Sequence, residues 1–80
     1  PEPTITQRLE AVRQHAEWSK DWKGERLGII EMRQHYGNYF RGIPHFKEWR
    51  MKFLEIFTLE EMDQVIAEAD EFYRNFQFAN

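Results

Sequence analysis

The feature that most restricts the fold of this chain is the regular spacing of apolar residues near its C-terminal end. After Thr58 the large apolar side chains recur every three or four residues, which is the period of one face of an α-helix. These side chains are Leu59, Met62, Val65, Ile66, Ala69, Phe72, Tyr73 and Phe76. No segment alternates apolar and polar residues with a period of two, as a half-buried strand would. The pattern therefore predicts an all-α chain.

The same helical period, interrupted by helix-ending residues, predicts four helices. They cover residues from about 5 to 23, 25 to 41, 45 to 56 and 59 to 76. Capping boxes are predicted at Thr4 with Gln7 and at Thr58 with Glu61. Gly24 and the sequence Gly42-Ile43-Pro44 are predicted to separate successive helices. Because short links favour antiparallel neighbours, we expect a small up-down antiparallel four-helix bundle, a single domain over residues 1–80.

Charge is distributed unevenly along the chain, although the net charge is only -3. Residues 20–52 hold eight Lys and Arg against four Asp and Glu, whereas residues 53–80 hold one Arg against seven Asp and Glu. A polyanion would be attracted to the middle of the chain and repelled by its C-terminal third.

The residues give no sign of a self-contained active site. The chain has no cysteine and one serine, Ser19, and its four glycines do not form a phosphate-binding loop. His15, His35 and His45 lie on different predicted elements and lack the spacing of metal ligands. No apolar run approaches the roughly 20 residues that cross a bilayer. We therefore expect no catalytic residue, no metal site and no membrane partner.

The remaining signal is the mixture of basic and aromatic residues between residues 20 and 52. Lys and Arg can contact phosphates, and aromatic rings can stack on unpaired bases. Alternatively, the aromatic residues form the core and the charges form a solvated rim. Such rims are common on helical bundles, so the residues alone favour this second interpretation.

Residues 23–50, KGERLGIIEMRQHYGNYFRGIPHFKEWR, closely resemble the C-terminal helical domain of bacterial tRNA-dihydrouridine synthases. The resemblance covers about a third of the chain. Its matching parts are Lys23-Gly24-Glu25, Glu31-Met32-Arg33, His35, Tyr39, Arg41-Gly42-Ile43-Pro44 and Arg50. Gln34 departs from the pattern, because the family usually has Lys or Arg there.

The resemblance implies a parent flavoenzyme in which a (β/α)8 barrel precedes this helical domain. The barrel would bind FMN, use NADPH to reduce it, and pass hydride to C6 of a uridine in tRNA while a cysteine protonates C5. The present chain would begin, at Pro1, just after that barrel and would hold no cofactor of its own. Its partners would be tRNA and the barrel of the same enzyme, and its location the cytoplasm.

The resemblance and the charge pattern together give a set of candidate tRNA-binding residues. They are Lys23, Arg26, Arg33, His35, Arg41, Lys47 and Arg50. The basic members would contact phosphate and sugar, which positions RNA without reading its sequence. His35 could instead brace a helix or stack on a base, and Tyr39 is expected in the core. The principal alternative is a helical bundle that binds protein and no nucleic acid, and a metal-dependent enzyme is a distant third.

Overall fold

A computed structural model describes residues 2–76, and within them the chain is helical and contains no strand. Five α-helices are present: α1 (Ile5–Lys23), α2 (Glu25–Glu31), α3 (Tyr36–Tyr39), α4 (Phe46–Phe53) and α5 (Leu59–Asn75). A 3-10 turn, Met32–Gln34, joins α2 to α3. The predicted all-α class is confirmed. The prediction about Pro1 lies outside the described residues.

The two long helices begin at the predicted capping boxes. The Thr4 hydroxyl accepts from the Gln7 N–H at 3.0 Å, and the Thr4 N–H donates to Gln7 Oε1 at 2.8 Å. Thr58 and Glu61 make the same reciprocal pair at the start of α5. The backbone N–H of Phe57, and then the hydroxyl and N–H of Thr58, donate to the Glu61 carboxylate and lower its pKa. Each box satisfies backbone donors that a helix start leaves unpaired. The predicted starts of both helices are confirmed.

The prediction of one continuous helix from 25 to 41 is wrong. After α2 the backbone tightens, so that the His35 N–H donates to the Met32 carbonyl, three residues back, at 2.9 Å. Gly37 and Asn38 follow, and both have low helix propensity, so local preference does not hold a long helix together there. Tertiary packing determines the path of the backbone here instead, because Met32 and Tyr36 are fully buried.

The third predicted helix is shorter than expected. It spans Phe46–Phe53 as α4, not residues 45 to 56. His45 sits just before it with a φ of 64°, in the left-handed region, so it cannot be part of the helix. Gly42 has a φ of 79°, which confirms the predicted break ahead of Pro44.

Helix α1 is the centre of the molecule and packs against α2 on one side and α5 on the other. The Thr6 hydroxyl donates to Asp70 Oδ1 at 2.6 Å, and Arg13 pairs with Asp63. Because the start of α1 therefore meets the end of α5, these two helices are antiparallel. The five helices replace the four predicted ones, and the up-down order of a complete bundle stays a prediction.

Gly28 allows α2 to fold back closely along α1. A Cβ atom at this position would lie 2.6 Å from the backbone nitrogen of Lys20 and 2.7 Å from the carbonyl carbon of Ser19. Those distances are well inside van der Waals contact, so no side chain fits here. The close contact sets the position of the loop and helices that follow α2.

The core is aromatic as well as aliphatic. Phe40 stacks on Phe46 with ring centroids 4.0 Å apart, and Tyr36 lies 5.0 Å from Phe53. These contacts pack the segment after α2 against α4. Among the residues described, no helix has the length and apolar character needed to span a membrane.

Candidate nucleic-acid interface

Arg26 and Arg33 lie against the same aromatic ring. The guanidinium carbon of Arg26 is 4.4 Å from the centroid of the Phe57 ring, and that of Arg33 is 5.3 Å from it. We call these three residues the Phe57 cluster. Neither arginine forms a salt bridge with any carboxylate in residues 2–76. The two arginines therefore lie together, and no carboxylate in residues 2–76 neutralises their positive charge.

The turn that carries Phe57 is tied to the start of α2. A carboxylate oxygen of Glu25 accepts from the backbone N–H of Leu59 at 3.0 Å. The Phe57 N–H donates to Glu61 at 2.8 Å, within the cap of α5. These hydrogen bonds hold the Phe57 ring beside the two arginines, so the backbone on both sides of Phe57 fixes the position of the Phe57 cluster.

Arg33 is partly buried. Its Nε atom is buried without a hydrogen-bond partner, and its neighbour Tyr36 is fully buried. Burial raises the pKa of Tyr36, and the positive charge of Arg33 partly opposes that rise. The Nε end of the Arg33 guanidinium is thus enclosed by protein, and the other N–H groups of the guanidinium remain as donors for an anion.

Lys23 shares its charge with a carboxylate. It pairs with Glu31, and this hydrogen bond is the main cause of the lowered pKa of the Glu31 carboxyl. Lys23 and Arg33 line the same shallow groove, together with Leu27. Because Glu31 offsets it, Lys23 would attract a phosphate more weakly than either arginine of the Phe57 cluster.

His35 belongs to a second group, with His15 and Tyr39, that we call the histidine cluster. The His15 and His35 ring centroids are 4.6 Å apart, and His15 Nδ1 is 2.9 Å from the Tyr39 hydroxyl. Partial burial, and then the nearby charge of His35, lower the pKa of His15, whereas Glu31 acts in the opposite direction. The lowered pKa favours the neutral form of the His15 imidazole.

Two arginines border the histidine cluster. Arg41 is exposed and donates to Asn38 Oδ1 at 3.1 Å. Arg8 donates to the Tyr39 carbonyl oxygen at 2.9 Å. Neither has a carboxylate partner in the described part of the chain. Tyr39 is half-buried and bonded, which fits the expectation that it supports the fold.

Sequence reasoning missed Arg8 and His15. They are seven residues apart on α1, two helical turns, and so share a side of the helix. That spacing was a usable signal, but only the fold shows that Tyr39 bonds to both.

Lys47 and Arg50 stand apart from both clusters. They lie one turn apart on α4, both exposed, and their side chains have no hydrogen bond or ion pair within residues 2–76. No described contact joins them to the Phe57 cluster or to the histidine cluster. The structure thus brings Arg26 together with Arg33, and it joins Arg41 to Asn38, which lines the same groove as His35. A tRNA contact for any of the seven residues stays a prediction.

The part of the chain that the structure describes contains no group of three or more His, Cys, Asp or Glu side chains that could hold a metal ion. His15 and His35 come together with a tyrosine and not with a third ligand. The arrangement offers hydrogen-bond donors, positive charge and ring faces, which are the groups that bind phosphates and bases.

Comparison with known proteins gives one match. The family model described as dihydrouridine synthase (Dus) matches residues 1–77. It covers the Phe57 cluster, the histidine cluster and both long helices. Comparisons with curated proteins and with solved structures find no match.

Proposed function

The chain belongs to the dihydrouridine synthase family, and we propose that it is the C-terminal helical domain with which a bacterial enzyme of this family holds tRNA. Such an enzyme reduces uridine to dihydrouridine in tRNA. In this proposal the present chain positions the RNA and contributes no catalytic residue. The protein acts in the cytoplasm.

The observation that carries the proposal is the Phe57 cluster. Two guanidinium groups share one ring and have no carboxylate partner in residues 2–76. Guanidinium groups match phosphate oxygens in geometry, and groups already held in place lose less conformational freedom on binding. The cluster is therefore suited to a phosphate of an RNA backbone.

The other candidate residues extend this surface in the proposal. Arg41 and His35 contact RNA beside the histidine cluster, and Lys23 contributes from the end of α1. Lys47 and Arg50 form a separate pair on α4 that would meet another part of a large ligand. A folded RNA is wide enough to reach all three positions, whereas a small anion is not.

The reduction itself is assigned to a separate barrel domain. FMN and NADPH would bind there, and FMN would supply the hydride when bound. Residues 2–76 contain no strand and so offer no barrel sheet on which a flavin site could be built. The barrel is, in this proposal, the second partner of the chain, besides tRNA.

Titration of the chain with unmodified tRNA at several salt concentrations tests the proposal. If two to four phosphates are neutralised, log K should fall with log salt with a slope of about -2 to -4. Replacing Arg26→Glu together with Arg33→Gln should weaken binding about tenfold or more, because two charge-assisted contacts are lost.

The matched control is Arg74→Glu together with Arg13→Gln, which changes the net charge equally. Both control arginines already pair with acids, Asp70 and Asp63. Exposed pairs of this kind contribute about 0–1 kcal/mol, so the control should fold. Equal weakening by the two double variants would show general charge attraction only, and unchanged binding in the first would contradict the proposal.

A further inference from the structure

Two exposed tryptophans, Trp18 and Trp22, continue one side of α1 beyond His15 of the histidine cluster. Together with Ala11 and His15 they form a row that we call the aromatic stripe. The steps of four, three and four residues place them on one side of the helix. Trp18 is 65% exposed and Trp22 is 87% exposed.

The two tryptophans are not core residues of this chain. The buried positions of α1 are Leu9, Val12, Ala16 and Ser19, on another side of the helix. Trp49, by contrast, is only 9% exposed. No aromatic ring packs against Trp18 or Trp22 within residues 2–76. Two neighbouring indoles left in water are typical of a surface that a partner covers.

The chemistry around the stripe favours a polyanion with flat rings as that partner. The acidic residues of α1, namely Glu10, Glu17 and Asp21, centre roughly 110° away around the helix. At His15 the stripe adjoins His35 and Tyr39. Arg8 donates to Tyr39, and Arg41 donates to Asn38, which lines the same groove. Ring faces bordered by cations without acidic partners suit bases attached to phosphates better than an apolar protein surface.

We propose that the aromatic stripe stacks on unpaired bases of the RNA, with Trp18 and Trp22 as the principal stacking platforms. Helix geometry separates the two residues by about 6 Å along the axis, so the rings can serve adjacent bases. This inference rests on the proposed function and adds to it: phosphates would bind at the arginines, and a single-stranded segment would lie along α1.

Intrinsic fluorescence with a short oligouridine RNA tests this directly, because only Trp18 and Trp22 are exposed among the three tryptophans. Stacking should quench their emission. Trp18→Ala with Trp22→Ala should lower affinity for oligouridine about fivefold or more, since stacking contributes about 1–3 kcal/mol per base. Trp18→Phe with Trp22→Phe should retain most of it.

A blunt RNA duplex of the same length serves as the second probe. Its bases are already stacked, so the alanine variant should bind it as the unmodified chain does. Met51→Ala is the control, because Met51 is also exposed and apolar, at 58%, but lies outside the stripe and outside the candidate interface. This control should leave oligouridine binding unchanged.

Three outcomes would overturn the inference. If the alanine variant binds oligouridine as tightly as the unmodified chain does, while tRNA binding still depends on Arg26 and Arg33, the stripe does not bind RNA and the proposed function stands. If the alanine variant loses self-association in sedimentation but keeps its RNA affinity, the stripe is a contact between copies of the chain. Absence of binding to tRNA and oligouridine alike would defeat both proposals.

Discussion

Two tyrosines in the core differ by a single hydrogen bond. The Tyr73 hydroxyl donates to the Pro44 carbonyl oxygen at 2.8 Å, whereas the buried Tyr36 hydroxyl has no partner in residues 2–76. Burial is the main cause of a raised pKa at both. A buried polar group without a partner costs free energy, and a bonded one contributes a little.

Replacing each tyrosine with phenylalanine should therefore have opposite effects. We expect Tyr36→Phe to leave the free energy of unfolding unchanged or raise it, and Tyr73→Phe to lower it by about 1 kcal/mol. Urea unfolding followed by circular dichroism measures both, and each variant controls for the other. A loss at Tyr36→Phe equal to that at Tyr73→Phe would contradict the assignment of an unbonded hydroxyl.

Individual residues differ in how far the sequence predicts them. The seven-residue spacing of Arg26 and Arg33 is enough to predict that they share an edge. Phe57, which supports both, is more than twenty residues further along, and no local rule links it to them. The same holds for His15 and His35, which meet only because the chain turns at Gly24.

Among the secondary-structure elements, the long helices were predictable and the middle of the chain was not. The starts of α1 and α5 depend on Thr and Gln or Glu three residues apart, a signal contained in four residues. The division of 25–41 depends on burial of Met32 and Tyr36, which involves α4 and α1. The spacing of apolar residues alone does not reveal such tertiary contacts.

The contact between α1 and α2 depends on the absence of a side chain at Gly28. Gly28→Ala would place a methyl group against the Lys20 backbone, which cannot move away as a flexible side chain could. We expect a loss of about 1–3 kcal/mol in the free energy of unfolding. Gly37→Ala is the control, because open space surrounds Gly37 and alanine favours helix; it should stabilise by up to about 1 kcal/mol.

Thermal or urea unfolding of the two glycine variants provides the measurement. Similar stability in both would mean that α1 and α2 do not approach as closely as described. Because the Phe57 cluster begins in α2, Gly28→Ala should also weaken tRNA binding, whereas Gly37→Ala should not.

At the scale of the molecule, acidic residues are concentrated on α5. Helix α5 carries exposed carboxylates along its length, including Glu60, Glu68 and Glu71. Three arginines without an acidic partner in residues 2–76, namely Arg26, Arg33 and Arg41, lie instead in and around α2 and α3. This asymmetry was predictable from the sequence, because most of the acids fall in one stretch of it; the grouping of the arginines around a ring was not.

The asymmetry predicts which face an RNA contacts. Titrating isotopically labelled protein with tRNA should shift the backbone amide signals of residues 23–41 in NMR spectra and leave those of the acidic side of α5 in place, because like charges repel. Raising the salt concentration should reverse the shifts. The largest shifts appearing around Glu68 would contradict the proposed orientation.

The Thr6–Asp70 hydrogen bond has a practical consequence for protein engineering. It places the entry to the first helix and the exit from the last one side by side. We therefore expect that residues 5–75 can be inserted into a surface loop of a carrier protein through two short spacers, with the antiparallel contact between α1 and α5 kept.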